Sequence, residues 1–196
     1  MKKTFRNYLL SVQAVLFAAV MVMVALPCAQ AQPARLAAAA APTTPGQIVD
    51  QLLSMVEGQM VPLAEAMPAD KYNFAPTNGN FKGVRTFAEQ IQHVIGANYM
   101  LYSRAASIKP LGMPNVKELK TKQQLVQALK DSFAFAHQSI ATLNNQNAMQ
   151  VVKPADGVST RVGIMLFAVV HMNDHYGQMV EYLRMNGVVP PSSQHP

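Results

Sequence analysis

The chain has 196 residues, with 16 Lys and Arg, 10 Asp and Glu, and a single Cys. One Cys excludes a small disulfide-stapled protein, because a lone thiol cannot close a bridge within the chain. Half of the residues are hydrophobic and the net charge is only +6, which excludes a disordered polar chain. The length is typical of one domain, at roughly 100 to 200 residues for each domain.

The first 31 residues have the pattern of an export signal. Lys2, Lys3 and Arg6 come first, residues 14–26 are apolar, and Ala29-Gln30-Ala31 follows. A basic start, an apolar run of about 7 to 15 residues and an A-x-A site are typical of a secretory signal peptide. We therefore predict that residues 1–31 are a signal peptide and that the protein is exported to the periplasm or the cell exterior.

Two alternatives involve the same segment. Residues 8–26 approach the roughly 20 residues that a membrane-spanning helix needs, so an uncleaved anchor stays open. Lipidation of Cys28 is disfavoured, because Pro27 stands where a small residue is expected. Cleavage after Ala31 would remove the Cys and three of the 16 basic residues, leaving 13 minus 10, or +3. The mature protein would then have no thiol and no membrane segment.

Residues 32–46 are rich in Ala and Pro and show no amphipathic period, which is typical of a flexible linker. Residues 47–192 are predicted to form the domain. Thr44, Thr86 and Thr121 offer helix N-caps with capping-box partners, and Pro62 should kink or end the first helix. No alternating strand pattern is seen. The sequence therefore predicts an all-α four-helix bundle, with helices near residues 45–66, 86–107, 121–144 and 160–186.

Two long connections separate these helices. Residues 108–120 can reach about 40 Å when extended, which exceeds the about 30 Å of a 20-residue helix. This link could run the length of the bundle and leave the second and third helices parallel. A short turn that does not use the full length of the segment is equally compatible with the sequence. The loop before the second helix contains several Pro and Gly residues, and long loops in compact domains are often functional covers.

The most informative side chains are His171 and His175 in the fourth predicted helix. Positions four apart differ by only 40° around a helix, so both imidazoles project from one face. That face also carries Ile164, Phe167 and Tyr182 and should therefore pack into the core. Buried imidazoles need partners, since an unsatisfied polar group costs about 1 to 3 kcal/mol. The spacing alone leaves both a metal site and ordinary hydrogen-bonded histidines open.

A third ligand would favour the metal site. His93, in the middle of the second helix, is the best candidate, because Gly96 and Ala97 on its side leave room for a ligand cavity. His137 is a competitor, but no residue pairs with it at ligand spacing in the sequence.

Two further polar residues could orient these ligands. Gln178 lies close to one turn beyond His175, and Glu89 lies one turn before His93. Both have a simpler interpretation that stays open. Gln178 could equally be a hydrogen-bonded core amide, and Glu89 could be the capping-box residue of its helix.

The last helix and its tail carry a family resemblance. The sequence HMNDHYGQ at residues 171–178, followed by Arg184 and GVVPP at 187–191, resembles the closing signature of the DinB-like (damage-inducible) metalloprotein family. The sequence TFAEQIQH at residues 86–93 is similar to the second helix of that family. The resemblance covers residues 47–192. It implies an up-down-down-up four-helix bundle and a divalent metal bound by His93, His171 and His175, with water in the open positions.

The resemblance also bears on activity. Members with known chemistry are mostly metal-dependent transferases that act with low-molecular-weight thiols, which are chiefly cytoplasmic, so the predicted export weakens that expectation here. Three neutral imidazoles leave a divalent ion coordinatively open, and they suit Zn, Ni, Cu and Fe alike. Two functions stay open. One is an exported metal-dependent transferase or hydrolase acting on an unidentified small molecule. The other is a non-catalytic extracytoplasmic metal-binding or interaction bundle.

Other chemistries find little support in the sequence. It has no Gly-rich phosphate loop and no G-x-S-x-G elbow, and Cys28 falls in the predicted signal. Basic residues are dispersed, and without a basic stripe or stacking aromatics nucleic-acid binding is disfavoured. A homodimer is compatible with the sequence.

Overall fold

A computed structural model describes residues 44–194, and these form a four-helix bundle with one small hairpin. The predicted signal peptide and nearly all of the predicted linker lie outside the described residues, as does His195. The all-α prediction is confirmed. The helices are α1 (Pro45–Ala66), α2 (Phe87–Ala106), α3 (Lys122–Ile140) and α4 (Arg161–Met185).

Local capping explains where the helices begin. Thr44, Thr86 and Thr121 each accept a hydrogen bond from the backbone three residues on, and each capping box is closed reciprocally. Thr160 caps α4 in the same way without the reciprocal bond. Such a cap stabilises a helix by about 1 kcal/mol because it satisfies an otherwise unpaired N–H. Pro62 lies inside α1 but does not end it, as the helix continues to Ala66.

Two expectations about the segment between α3 and α4 are wrong. The third helix ends at Ile140 rather than near residue 144, and turns follow it. The chain then forms an antiparallel hairpin of β1 (Val151–Ala155) and β2 (Val158–Thr160). Asp156 and Gly157 connect the strands, and both have positive φ, at 45° and 81°. Two successive positive φ values are typical of a type I′ turn, for which Asp-Gly is a favoured sequence.

The contacts between helices define the connectivity. α1 and α2 each pack against both α3 and α4. Gln92 near the start of α2 bonds the Leu119 carbonyl just before α3, so α2 and α3 run parallel. The Tyr182 hydroxyl near the end of α4 bonds the Arg85 carbonyl just before α2, so this pair is antiparallel.

α1 and α3 are antiparallel as well. The Lys122 ammonium at the start of α3 donates to the Glu65 and Met67 carbonyls at the end of α1. The bundle therefore has the up-down-down-up order, and the link between α2 and α3 runs along its length. Among residues 44–194, no helix is both long enough and apolar enough to cross a membrane.

All four helices contribute to a single core. Its largest fully buried side chains include Leu53, Leu101, Phe133 and Tyr102. The loop before α2 is fastened to this core, since the Tyr72 hydroxyl donates to the Ala64 carbonyl at 2.6 Å. The loop is therefore held against the end of α1 and the start of α2, and its last residues lie on the side of α2 where His93 lies.

Candidate metal centre

Three histidines from two helices meet in the bundle. His93 comes from α2, and His171 and His175 come from α4. Their ring centroids lie 4.6, 4.7 and 5.1 Å apart. One ring nitrogen from each residue lies within 4.8 Å of the other two. The antiparallel packing of α2 on α4 is what brings together residues that are 78 positions apart in the chain.

The donor set fits a single divalent ion. At the zinc–nitrogen distance of about 2.0 to 2.1 Å, tetrahedral ligands lie roughly 3.3 Å from one another. The Nε2 atoms of His93 and His171 face each other at 3.1 Å. This separation is close to the expected value, and the three imidazoles together could hold one ion. We refer to His93, His171 and His175 as the histidine cluster.

The burial of the cluster is uneven. His175 is buried, with 5% of its surface exposed, whereas His93 and His171 are half-buried. A Cβ added to Gly96 would contact no neighbouring element within 4 Å, so there is open space one turn from His93. The cluster is therefore closed on the His175 side and open on the His93 side.

A hydrogen-bond chain fixes the tautomer of His175. Its Nδ1 lies 2.6 Å from the Gln90 carbonyl oxygen, and the Gln90 amide donates to the Gln178 carbonyl oxygen at 2.9 Å. The Gln178 amide in turn donates to Asp174 at 2.9 Å. Because a carbonyl oxygen can only accept, Nδ1 of His175 carries the proton and Nε2 keeps its lone pair for a ligand.

Gln90 was not among the residues predicted from the sequence. It is 2% exposed and lies between the predicted Gln178 and His175, so that Gln178 acts on the histidine only through it. A polar residue on the buried face of α2, three positions before His93, was the available signal. Glu89, the other predicted orienting residue, accepts from the Thr86 backbone N–H at 2.8 Å and so closes the capping box.

Electrostatics keep the histidine cluster neutral. Burial lowers the pKa of His93, and the charges of Arg85 and His171 lower it further. Burial also lowers the pKa of His171, although Asp174 and Asp156 oppose this. Burial and the other two histidines lower the pKa of His175 to about 4. Neutral imidazoles are the form that binds metal, so the cluster is in its ligand form at neutral pH.

His137, the competing histidine, has a different environment. The sequence shows no partner for His137 at ligand spacing along its own helix, but the fold brings two partners from α1. Its Nδ1 lies 2.5 Å from Asp50 and its Nε2 lies 3.0 Å from Glu57. Burial alone would lower the pKa of His137, but the two carboxylates outweigh burial and raise it. His137 therefore forms a charged bridge between α1 and α3.

We expect His137→Gln to destabilise the protein by about 1 to 2 kcal/mol at pH 6, since two charge-assisted hydrogen bonds are lost at a partly exposed site. The folded-state pKa is raised, so this contribution is complete below the unfolded pKa of about 6.5 and is lost as pH rises through the folded value. Urea unfolding at pH 6 and pH 9 measures the difference. A destabilisation that is equal at both pH values would contradict this assignment.

The structure is thus a four-helix bundle with a cluster of three histidines that could hold a metal ion. The chain matches the DinB superfamily over residues 52–179 and belongs to that superfamily. No curated protein matches the chain.

Two solved structures have the same fold. A DinB-like protein from Bacillus cereus superposes with a TM-score of 0.64 at 11% identity, covering 76% of this chain and 96% of that protein. A protein described as a member of the DinB family from Exiguobacterium sibiricum superposes with a TM-score of 0.56 at 17% identity, covering 73% and 92%. At these identities the likeness concerns the fold alone.

Proposed function

We propose that this protein binds a divalent metal through His93, His171 and His175 and acts outside the cytoplasm as a metal-dependent transferase or hydrolase. The observation that carries the proposal is the convergence of three imidazole nitrogens within 4.8 Å of one another. Residues 1–31, with their signal-peptide pattern, are the basis for the proposed export. Zinc, nickel and iron all suit this ligand set.

A bound divalent ion would polarise a substrate oxygen or sulfur, or lower the pKa of a water molecule. The surrounding residues would orient the ligands and limit access to the ion. Gln90 holds the proton on Nδ1 of His175 and fixes the orientation of that ring. Burial of His175 excludes water from one side of the cluster, so that a substrate would approach from the side of the half-buried His93 and His171.

The open side favours catalysis over a purely structural ion. A cleft of about 440 Å³ adjoins His93, and small-molecule sites are commonly of about 300 to 1,000 Å³. Structural zinc sites, in contrast, are usually closed by four protein ligands. The alternative of a non-catalytic metal-binding or interaction bundle uses the same three ligands, and it would be favoured if no substrate reached the ion.

We expect the wild-type protein to purify with about one metal ion per chain and the His171→Ala, His175→Ala double variant with almost none. The full chain is expressed with its N-terminal segment, and metal is measured by mass spectrometry of the acid-digested protein. His137→Ala is the matched control, since it removes a histidine outside the cluster and should leave metal content unchanged. Near-zero metal in both wild type and double variant would contradict the proposal.

Catalysis is tested on the same preparations. Thiol-adduct formation and hydrolysis of small esters and amides are measured with the metal-loaded wild type and with the double variant. Activity that is lost in the double variant supports the enzymatic proposal, and absence of activity in a fully metal-loaded wild type favours the non-catalytic alternative. The intact mass of the purified chain shows whether cleavage follows Ala31.

A further inference from the structure

The cleft beside His93 contains two cations that come from separate parts of the chain. Arg85 lies in the loop, two residues before α2 begins. Lys117 lies in the short helical turn Val116–Glu118, within the link between α2 and α3. His93 forms part of the same lining. The link and the loop thus meet at the open side of the histidine cluster.

The backbone at both cations is fixed. The Tyr182 hydroxyl donates to the Arg85 carbonyl at 3.0 Å, and the Tyr182 ring packs edge-to-face on Phe74. Near Lys117, the Gln92 amide donates to the Leu119 carbonyl at 3.0 Å. The first bond holds the Arg85 segment against α4, and the second holds the link against α2. The fold therefore fixes the backbone positions from which the two exposed side chains extend.

The protein neutralises the charged ends of these two side chains only in part. Within residues 44–194, neither the Arg85 guanidinium nor the Lys117 ammonium forms an ion pair. The one carboxylate in the lining, Glu89, accepts a hydrogen bond from the uncharged Thr86 backbone N–H, so its single negative charge offsets only one of the two positive charges. Neither Asp156 nor Asp174 lines this cleft: both act on His171, and Asp174 also acts on His175. The His93 side of the cluster therefore has an excess of positive charge.

Arg85 lies close enough to act on the whole histidine cluster. Its charge contributes to the lowered pKa of His93, of His171 and of His175, after burial in each case. A divalent ion at the cluster would add two further positive charges beside an unpaired guanidinium. Like charges at short range repel, and a negatively charged ligand between them would remove that repulsion.

We propose that this cleft binds the oxyanion group of a small substrate, a carboxylate or a phosphate, with Arg85 as the principal contact and Lys117 as the second. The planar guanidinium of Arg85 matches either group with two parallel hydrogen bonds. This inference rests on the proposed function: the bound oxyanion group would place the rest of the substrate beside the histidine cluster, where the reaction is proposed to occur.

The test measures binding of succinate to the full-length protein by isothermal titration calorimetry at constant ionic strength, with and without one equivalent of Zn²⁺. Succinamide is the neutral probe of the same size. We expect Arg85→Gln to weaken succinate binding about tenfold or more, as the loss of a charge-assisted hydrogen bond predicts. Lys117→Gln should weaken it less, and succinamide should not bind measurably. Lys109→Gln, which removes an exposed cation from a different cleft, is the matched control.

The outcomes separate this inference from the metal proposal. Zinc content is measured on every variant, and Arg85→Gln should keep it unchanged because the three histidines are intact. If wild type binds no metal but still binds succinate through Arg85, the metal proposal fails and the anion site stands. Equal succinate affinity in wild type and Arg85→Gln, equal binding of succinamide, or no succinate binding in either metal state would overturn the anion site.

Discussion

Replacing Gln90 with Leu is expected to lower the affinity of the protein for Zn²⁺ by about 10- to 100-fold, the usual effect of removing a residue that orients a metal ligand. Leu has a similar size but accepts no hydrogen bond, so Nδ1 of His175 and the Gln178 carbonyl both lose their partner. The imidazole could then rotate or change tautomer. Competition with a chromophoric chelator at pH 7 measures the affinity.

Two further variants test whether the loss of zinc affinity is due to the hydrogen bond between Gln90 and His175. Gln92→Leu is the same substitution two positions along α2, where the amide bonds the Leu119 carbonyl instead of a histidine, and it should keep the wild-type zinc affinity. Gln90→Glu retains an acceptor for His175 and should recover most of the lost affinity. If Gln90→Leu folds normally and binds zinc as tightly as wild type, the hydrogen-bond chain does not contribute to the zinc affinity of the cluster.

Leu53→Ala is expected to reduce the free energy of unfolding by about 2 to 5 kcal/mol, because it removes buried methyl groups and leaves a cavity in a well-packed core. Leu53 lies in α1 and is 0% exposed. The matched control is Leu111→Ala, since Leu111 is 95% exposed and the same substitution there should change stability by less than about 0.5 kcal/mol. Urea unfolding followed by circular dichroism measures both. Similar losses in the two variants would contradict the assignment of the core.

The features that could be predicted from the sequence are those determined by short segments. A threonine and the residue three positions later define three of the helix starts, and both lie within one turn. The spacing of His171 and His175 within one helix likewise places both on one face. The up-down-down-up order was implied by family resemblance, and the reach of residues 108–120 was only compatible with it.

The features that could not be predicted depend on which helices are neighbours. Gln90 contacts His175 across 85 positions of the chain, and Asp50 contacts His137 across 87. No local pattern contains such a pair. The hairpin was missed for another reason: β2 has only three residues, too few to show an alternating pattern, so that Asp156-Gly157 was the only local signal.

The connectivity of the bundle has a consequence for how the chain folds. Of the extensive helix–helix interfaces among residues 44–194, only that between α2 and α3 joins helices that are consecutive in sequence. The helical pairs α1–α2 and α3–α4 lie diagonally and share no extensive interface, so neither could persist as an isolated hairpin. Most apolar side chains can therefore become buried only after helices that are distant in sequence have met, which closes long loops of chain between them. We expect this topology to slow folding relative to a simple up-down-up-down bundle, because these long loops must close before the apolar faces are buried.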